Sequence, residues 1–385
     1  MRNSTDYKLA GPKTFRRASK QILPKKVMFM GKMKVKGWGS NLQNIEKSAR
    51  EMYYPDGFTS SLTEKCLYWL KTGDTDVFTE EELLKLRVML QCDQSGAEAL
   101  GVAYLCEARD YRKLFECGVK VHVYVAMKLF KDVWTKKMKE HGGLIEDFNI
   151  ESISTTPIEK LKQNPFWKDL DLLIKSSDNW SLQERYYYLA KQTVHSANYA
   201  ITAQTFRMNI LQKSGGKIII SLKDAEFFLD TYRSLFPEIV EWNKRVAQQV
   251  EQTRILYNLH GHPYTITDWH LDESSMKEYI AWSPQSTIGE ITRIAFTNLQ
   301  HYIEDTKQPW DLLQDNHDSY MAQCPLIYAL DCQGKMQGFM QQEMTSPVDG
   351  VKFRMKSDVN IGFNWAPAKP EKNENLLGLR EIHWN

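Results

Sequence analysis

Hydrophobic and polar positions follow two different periods along the chain, and the period predicts the type of element. Apolar residues recur every three or four positions through much of the middle of the chain, a spacing that is typical of helices buried on one face. The two longest helical patterns cover residues 182–211 and 224–252. Short apolar runs bounded by turn residues are typical of strands, and they cover residues 87–92, 257–267, 312–316, 320–324 and 351–355.

The order of these elements predicts the fold class. Strand patterns lie on both sides of a helical centre, so we expect an α+β protein in which a helical insertion separates two parts of one antiparallel sheet. Two further short helical patterns lie within residues 59–85. After the strand at 87–92, a helical face begins with Ala97, Leu100 and Ala103, which places Asp93 at a junction between strand and helix.

Composition excludes several classes of protein. The chain has 385 residues, of which 42% are hydrophobic and 25% are charged, so it is globular rather than disordered and long enough for two or three cores. It contains no apolar run of membrane-spanning length and no signal-peptide pattern. Its six cysteines form no Cys-x-x-Cys pair, so we expect reduced thiols in a cytoplasmic protein and no structural zinc site.

Charge is distributed unevenly. The formal net charge is only +2, yet residues 7–45 contain no acidic side chain. A basic segment of this kind suits binding to a phosphate backbone, because each cation can release a condensed counterion; a solvated basic tail is the alternative. The cations of the segment are Lys8, Lys13, Arg16, Arg17, Lys20, Lys25, Lys26, Lys32, Lys34 and Lys36.

Two aspartates stand at the ends of predicted strands. Asp93 follows the strand at 87–92, and Asp318 lies in the turn of "LLQDNHDSYMAQ", residues 312–323. Asn-His-Asp-Ser is ordinary turn chemistry, so Asp318 alone has a purely structural interpretation. If both strands belong to one sheet, the two carboxylates can hold two divalent cations that clamp the attacking and leaving oxygens of an in-line phosphoryl displacement. Mg²⁺ suits oxygen ligands and a bound triphosphate, with Mn²⁺ as a substitute.

A third candidate segment is "RYYYLAKQTVHSANYAITAQTF", residues 185–206. On a helix, Lys191, His195 and Tyr199 recur every four residues and share one face. Such a face offers a cation to phosphates and two planar rings to a base and a sugar. An amphipathic helix with an aromatic core face is the alternative.

These segments resemble the three polymerase motifs of family A DNA polymerases. "DQSGAE" (93–98), "AKQTVHSANYA" (190–200) and "HDS" (317–319) are similar to the first, second and third motif, in the order in which the family carries them. Other segments of the chain agree with this order. They are "NLQNI", "AREMYYPDGF", "GVKVHVYVAMKLF", "LYNLHGHPYTI", "SPQSTIGEI" and "KSDVNIGFNW". The resemblance covers residues 27–366.

The resemblance implies a role for each matching residue. The catalytic residues would be Asp93, Asp318 and Lys191, and the ligands of two Mg²⁺ ions would be Asp93, Asp318 and the main-chain carbonyl of Gln94. The residues that bind the dNTP would be Gln94, Glu98, His122, His195 and Tyr199. The residues that bind DNA would be Lys34, Gln43, Asn44, Gln285 and His317.

Within the family, several of these roles are specific. Lys191 would bind the triphosphate and Tyr199 would stack near the nascent base pair. Glu98 matches the steric gate that excludes a ribose 2′-OH, and His195 matches a position that senses the 3′ side of the sugar. His317 would position the primer terminus.

The chain also departs from the family pattern. Ser319 replaces the glutamate of the third motif, His195 stands where Phe or Tyr is usual, and Tyr187 replaces the arginine four residues before the motif lysine. His262 and Pro263 stand where the family has arginines. Residues 59–85 correspond to an insertion before the first motif.

The implied subdomains follow the motif order. We expect a basic N-terminal segment at 1–26, a first part of the palm at 27–105 that includes the insertion 59–85, and helical fingers at 106–262. A second part of the palm is expected at 263–366 and a C-terminal tail at 367–385.

The resemblance implies a template-directed DNA polymerase that adds dNTPs to a primer 3′-OH, in the cytoplasm of a bacterial cell or a phage-infected host. A non-catalytic polymerase-like subunit that binds primer-template DNA is the main alternative, and a two-metal nuclease is a second one. The segment before "NLQNI" is too short for the long thumb helices or the exonuclease domain of the family. We therefore expect a separate thumb and exonuclease subunit, or a processivity factor, as a partner; a minimal polymerase clamped by the basic segment is the alternative.

Overall fold

A computed structural model describes residues 5–8, 18–21, 23–29, 32–38, 47–142, 148–370, 373–382 and 384, with side chains from residue 49 onward except at 141–142 and 183. The chain divides into two compact units. The sheet unit comprises Met1–Ala97, Gln285–Met344 and Lys352–Asn385, and the helical unit comprises Glu98–Pro284 and Thr345–Val351. The predicted subdomain boundaries stay a prediction, because they rest on the family's organisation.

The elements are as follows in chain order. The strands are β1 Thr5–Lys8, β2 Ala18–Gln21, β3 Leu23–Phe29, β4 Lys32–Trp38, β5 Arg87–Gln94, β6 Ile255–Tyr257, β7 Pro263–Thr265, β8 Asp311–Asp315, β9 Ser319–Pro325, β10 Glu343–Thr345, β11 Lys352–Arg354, β12 Ser357–Gly362, β13 Asn364–Pro367 and β14 Gly378–Leu379. The helices are α1 Thr63–Thr72, α2 Glu80–Lys85, α3 Ala97–Leu105, α4 Arg109–Glu116, α5 Val121–Leu129, α6 Lys131–Gly142, α7 Ile150–Thr155, α8 Ile158–Leu161, α9 Trp167–Ser176, α10 Tyr186–Ala197, α11 Ala203–Lys213, α12 Leu222–Leu235, α13 Pro237–Thr253, α14 Glu273–Thr306 and α15 Ala329–Met340.

An antiparallel sheet in the order β12-β5-β9-β8 forms the centre of the sheet unit. Its central strand β5 carries Val88, Leu90 and Cys92, whose side chains are fully buried. Every residue of the neighbouring strand β9 is buried as well. This burial explains why both strands read as short apolar runs, and it confirms the predicted mixture of helices with one antiparallel sheet whose strands come from both sides of the helical centre.

Several predicted strands and helices are confirmed, with small changes in where they begin and end. The strand patterns at 87–92, 312–316, 320–324 and 351–355 correspond to β5, β8, β9 and β11, and the patterns within 59–85 correspond to α1 and α2. The helix predicted after Asp93 is α3. The predicted strand at 257–267 is instead a hairpin of β6 and β7, because Gly261 turns the chain at a φ of +78°.

The two long helical patterns are each divided, which the prediction missed. In 224–252 the break lies at Phe236, whose backbone is not helical, with φ of −136° and ψ of 67°, because the following Pro237 disfavours a helical conformation of the residue before it. In 182–211 the chain leaves the helix after Ala197 and resumes it at Ala203. Ala200, between the two helices, has a φ of 53°.

Helix α10 is central to the helical unit, where it packs against α5, α9 and α12. Its buried side chains are Leu189, Ala190, Thr193, Val194 and Ala197. The opposing helix α5 is apolar over most of its length and buried. None of the helices within the described ranges combines the length and the apolar composition that crossing a membrane requires.

Candidate active site

The central sheet brings Asp93 and Asp318 to one edge. Asp93 is the penultimate residue of β5 and pairs with Ser319, the first residue of β9. The N–H of Gln94 donates to the carbonyl oxygen of Asp318 at 2.9 Å. The turn at 316–318 is closed by the N–H of Asn316, which donates to the Ser319 carbonyl oxygen at 2.7 Å. The strand end and the hairpin turn therefore lie side by side, as the strand pattern predicted.

Asp93 lies in an electrostatic environment that opposes its ionisation. Burial, and then the negative charges of Asp318 and Asp358, raise the pKa of Asp93 to about 7. Asp358 is opposite Asp93 in the β5–β12 register, so their side chains project from the same face of the sheet. Its carboxylate accepts a short hydrogen bond from the hydroxyl of Ser95. A positive charge near Asp93 would relieve this repulsion.

The residues at this edge fit a divalent cation with oxygen ligands. Asp93 and Asp318 supply carboxylates. In an antiparallel strand, the N–H and the C=O of one residue point toward the same neighbouring strand. Because the N–H of Gln94 donates to Asp318, the carbonyl of Gln94 points to the same side as Asp318. Mg²⁺ is usually bound through one or two carboxylates together with substrate oxygens and water. A cluster of three or more His, Cys, Asp or Glu side chains arranged for a metal does not occur among the residues described.

The Gln94 side chain anchors the strand end to α14. It is buried, and its Nε2 donates to the carbonyl oxygen of Ile288 at 3.0 Å and to the hydroxyl of Thr292 at 2.8 Å. The hydroxyl of Thr292 lies 3.4 Å from the carbonyl oxygen of His317. One helix therefore supports both chain segments that carry the aspartates. The Gln94 side chain points into this network, so a role at the cation or at the dNTP falls to its main chain.

In the helical unit, α10 presents Lys191 and His195 four residues apart, as the pattern predicted. The Lys191 side chain is exposed. His195 lies beside His122 of α5, with 5.4 Å between the ring centroids, and His122 also packs edge-to-face against Tyr187 at 6.1 Å. Tyr187 is thus an aromatic contact of His122.

His122 is held in its neutral form. Burial, followed by the nearby groups His195, Lys191 and Lys120, lowers its pKa to about 3. Its Nε2 is buried and makes no hydrogen bond within the described part of the chain. A neutral imidazole can offer a phosphate one hydrogen bond but no charge. If His122 binds the dNTP as predicted, any contact that it makes with a phosphate is a neutral one.

Glu98 and His195 are the two residues predicted to sense the sugar, and they contact each other. Glu98 lies in the first turn of α3, and its Oε2 is 3.6 Å from Nδ1 of His195. Their side chains are 27% and 36% exposed. The pair is an ion pair only when His195 is protonated, and its partial exposure keeps the interaction weak.

Tyr199 lies beyond the helix that was expected to carry it. Helix α10 ends at Ala197, and the N–H of Tyr199 donates to the Ser196 carbonyl oxygen at 3.2 Å in the turn that follows. The predicted face of Lys191, His195 and Tyr199 on one continuous helix is therefore wrong for Tyr199. Helix α12 holds this turn: Tyr232 donates to the Oδ1 of Asn198 at 2.6 Å, and Arg233 donates to the carbonyl oxygen of Ile201 at 2.8 Å.

The predicted DNA-binding residues are placed less fully. Gln285 lies in α14, next to Pro284 within the helix, and is half-buried. His317 is half-buried in the turn before β9. Gln43 and Asn44 lie outside the residues that the structure describes. Lys34 lies in β4, for which the structure describes the backbone and not the side chains. The side chains of the other cations of the basic segment lie outside the description too.

The sequence did not show that Asp358 lies next to Asp93, nor why a serine rather than a glutamate occupies position 319. Asp358 was part of a recognised closing strand, but only the strand register places it opposite Asp93. Ser319 is 3% exposed, and its hydroxyl lies 3.4 Å from Nε2 of Gln91 and 3.3 Å from Nδ2 of Asn316. A carboxylate at this buried position would lose the solvent that stabilises its charge.

Comparison with solved structures shows a polymerase fold. The chain is similar to the polymerase domain of Pol1 from M. smegmatis, solved in complex with DNA primer-template and dNTP, with a TM-score of 0.57 and 14% sequence identity. The match covers 94% of this chain and 48% of that chain, so this chain spans about half the length of its neighbour. No family model and no curated protein matches the chain. At this identity the similarity establishes the fold and assigns no residue.

Proposed function

We propose that the chain is a template-directed DNA polymerase of the family A type, which adds dNTPs to a primer 3′-OH. The observation that carries the proposal is the placement of Asp93 and Asp318 at adjacent strand ends in a chain with a polymerase fold. Primer-template DNA and dNTPs are the proposed partners, by analogy with what the structural neighbour binds.

In the proposed reaction the primer 3′-oxygen bonds to the α-phosphorus of the dNTP, the bond from that phosphorus to the bridging oxygen breaks, and pyrophosphate leaves. Two Mg²⁺ ions, when bound, would supply positive charge at the attacking and leaving oxygens. Asp93 and Asp318 would hold these ions through their carboxylates. Because the pKa of Asp93 is about 7, Asp93 must release a proton at neutral pH before it serves as a ligand.

The helical unit supplies the groups for the nucleotide. Lys191 offers an exposed ammonium group to the triphosphate, where it would stabilise the charge that develops on the leaving pyrophosphate. Glu98 and His195, in contact with each other, would act on the sugar. His122 would add a neutral hydrogen bond.

Primer extension by the purified chain tests the proposal. With a labelled primer-template, dNTPs and Mg²⁺, the parent should extend the primer, and Asp93→Ala or Asp318→Ala should lower the rate at least about 100-fold, by analogy with the loss of other charge-stabilising groups. DNA binding should persist, because contacts to phosphates supply most of the affinity. Asp76→Ala, an exposed aspartate of the same unit, is the matched control.

The same assay separates the alternatives. Cleavage of the labelled strand without dNTPs would identify a nuclease that uses the same carboxylates. Binding of primer-template with neither extension nor cleavage would identify a non-catalytic subunit. Extension that survives in both aspartate variants would contradict the assignment of Asp93 and Asp318.

A further inference from the structure

The turn that carries Tyr199 contains a strained residue. Tyr199 lies between two helices rather than within one, since α10 ends at Ala197 and α11 begins at Ala203. The next residue, Ala200, has a φ of 53°. A residue with a Cβ atom rarely adopts this conformation, which persists only where the surrounding structure holds it in place. The orientation of Tyr199 therefore depends on the contacts that hold the turn.

Two adjacent residues of α12 hold the turn on both sides of Tyr199. On one side, the hydroxyl of Tyr232 donates to Oδ1 of Asn198 at 2.6 Å. On the other side, the guanidinium of Arg233 donates to the carbonyl oxygen of Ile201 at 2.8 Å. The two hydrogen bonds thus fix the chain immediately before Tyr199 and shortly after it.

The hydrogen bond between Tyr232 and Asn198 is shielded from solvent. The exposed fraction is 0% for Tyr232 and 1% for Asn198, and the ring of Tyr111 packs edge-to-face against that of Tyr232. Burial, and then the neighbouring Tyr111, raise the pKa of Tyr232, so its hydroxyl stays protonated and acts as a donor. A buried acceptor that loses its donor cannot turn to water instead. The turn therefore depends strongly on this one hydroxyl.

The guanidinium of Arg233 is directed toward the turn by its own helix. Its Nη1 lies 3.3 Å from Oδ1 of Asp230, one turn earlier in α12, while its Nη2 reaches Ile201. The planar guanidinium can serve both acceptors at once. Because the Arg233 side chain is 35% exposed, its contact with Asp230 is weak and serves mainly to orient it.

We propose that Tyr232 and Arg233 are positioning residues that set the orientation of Tyr199 toward the incoming nucleotide. This role rests on the proposed polymerase function, because it assumes that Tyr199 contacts a nucleotide. Each residue acts through the backbone of the turn, across more than thirty positions of sequence. A turn that is held less firmly would leave a smaller fraction of molecules with Tyr199 correctly oriented, which weakens the apparent affinity for the nucleotide by that fraction.

Steady-state primer extension tests this role, because it measures KM for the dNTP and kcat separately. Tyr232→Phe and Arg233→Gln should each raise KM about fivefold, as the loss of one hydrogen bond implies. They should leave kcat within about twofold of the parent, because molecules that have bound the nucleotide are correctly oriented. Tyr279→Phe is the matched control, since it removes another buried tyrosine hydroxyl of the helical unit, which donates to Asp268. It should leave KM unchanged.

Two further measurements separate positioning from a general loss of stability. Asn198→Ala combined with Tyr232→Phe should raise KM no more than the larger single effect, because both changes remove the same hydrogen bond. Hydrogen exchange of the backbone at 198–202 should be faster in Tyr232→Phe than in Tyr279→Phe. Thermal unfolding shows whether each variant is folded, and Arg233→Gln supplies the test if Tyr232→Phe is not.

The outcomes distinguish this role from the polymerase function on which it rests. If the parent extends primers but Tyr232→Phe and Arg233→Gln have the same KM as Tyr279→Phe, the positioning role alone is overturned. Unchanged hydrogen exchange at 198–202 would overturn it as well. A parent that extends no primer would refute the polymerase function itself, and the positioning role with it.

Discussion

Asp93→Asn should stabilise the folded chain in the absence of divalent cations, even though it should abolish activity. The pKa of Asp93 is raised from 3.8 to about 7 by burial, Asp318 and Asp358. The unfolded chain ionises this group freely, so above pH 3.8 Asp93 penalises folding, and the penalty grows until pH 7 and is constant above it. Asparagine carries no charge and removes the penalty.

The size of the effect follows from the two pKa values. Each pKa unit corresponds to about 1.4 kcal/mol, so the penalty at pH 8 is about 4 kcal/mol as an upper limit and about 2 kcal/mol once solvent screening at a half-buried position is allowed for. At pH 5 the folded state keeps the proton, and the penalty falls to less than half of its value at pH 8. The stabilisation by Asp93→Asn should shrink accordingly.

Urea unfolding of the parent and Asp93→Asn in EDTA at pH 8 and pH 5 measures both quantities. Asp76→Asn, at an exposed aspartate of the same unit, controls for the loss of a negative charge. Mg²⁺ added at pH 8 should stabilise the parent more than Asp93→Asn. If Asp93→Asn is no more stable than Asp76→Asn at pH 8, or if its advantage is the same at pH 5, the charge repulsion inferred for this edge of the sheet is wrong.

Three further predictions concern the helical unit. In primer extension, Glu98→Ala should admit ribonucleotides and His195→Tyr should admit dideoxynucleotides. Because the two side chains touch, the effect of the double variant should differ from the sum of the two single effects by about 0.5 kcal/mol. A double variant whose effect equals that sum would show that the two residues act separately. Ala200→Gly should raise the free energy of unfolding by up to about 1 kcal/mol, because Ala200 has a φ of 53°, whereas Ala225→Gly within α12 should lower it; a destabilised Ala200→Gly would contradict the strained turn. Between pH 7 and pH 5 the stability of the parent should fall by about 2 kcal/mol relative to that of His122→Asn, because the unfolded histidine takes up a proton at pH 6.5 and the folded one only near pH 3. An unchanged difference between the two in urea unfolding would show that His122 is accessible to protons.

The fold class was predictable because it depends on patterns that are local in sequence. Strand β5 reads as a buried apolar run that ends at Asp93, and the turn between β8 and β9 is marked by its turn residues. The structure contains both features, because they require only that neighbouring strands pair in the expected order. Helix ends were less predictable, although Pro237 could have marked the break between α12 and α13. Asn198 and Thr202, the N-cap residue of α11, could have marked the break between α10 and α11.

The side-chain contacts of the candidate site were not predictable, because they depend on register and on distant segments. Asp358 faces Asp93 only because β12 pairs with β5 in one particular register, and a shift by one residue would turn its side chain to the other face. The contact of Gln94 with Thr292 joins residues almost two hundred positions apart. A motif identifies such residues by type, but it does not show what each side chain contacts.

The sheet edge that carries the aspartates combines an unfavourable charge arrangement with strong local support. Asp93 is destabilising where it stands, since burial and two neighbouring carboxylates act against its ionised form. The strand end nevertheless stays in place because β5 pairs with β9 on one side and with β12 on the other, and because Gln94 ties it to α14 through two side-chain hydrogen bonds. Stability is therefore supplied by groups next to the site, and repulsion is retained within it, as expected where a cation is to be bound. Gln94→Ala should thus weaken the support of both aspartates while leaving their charges unchanged, whereas Asp93→Asn removes the repulsion and keeps the support.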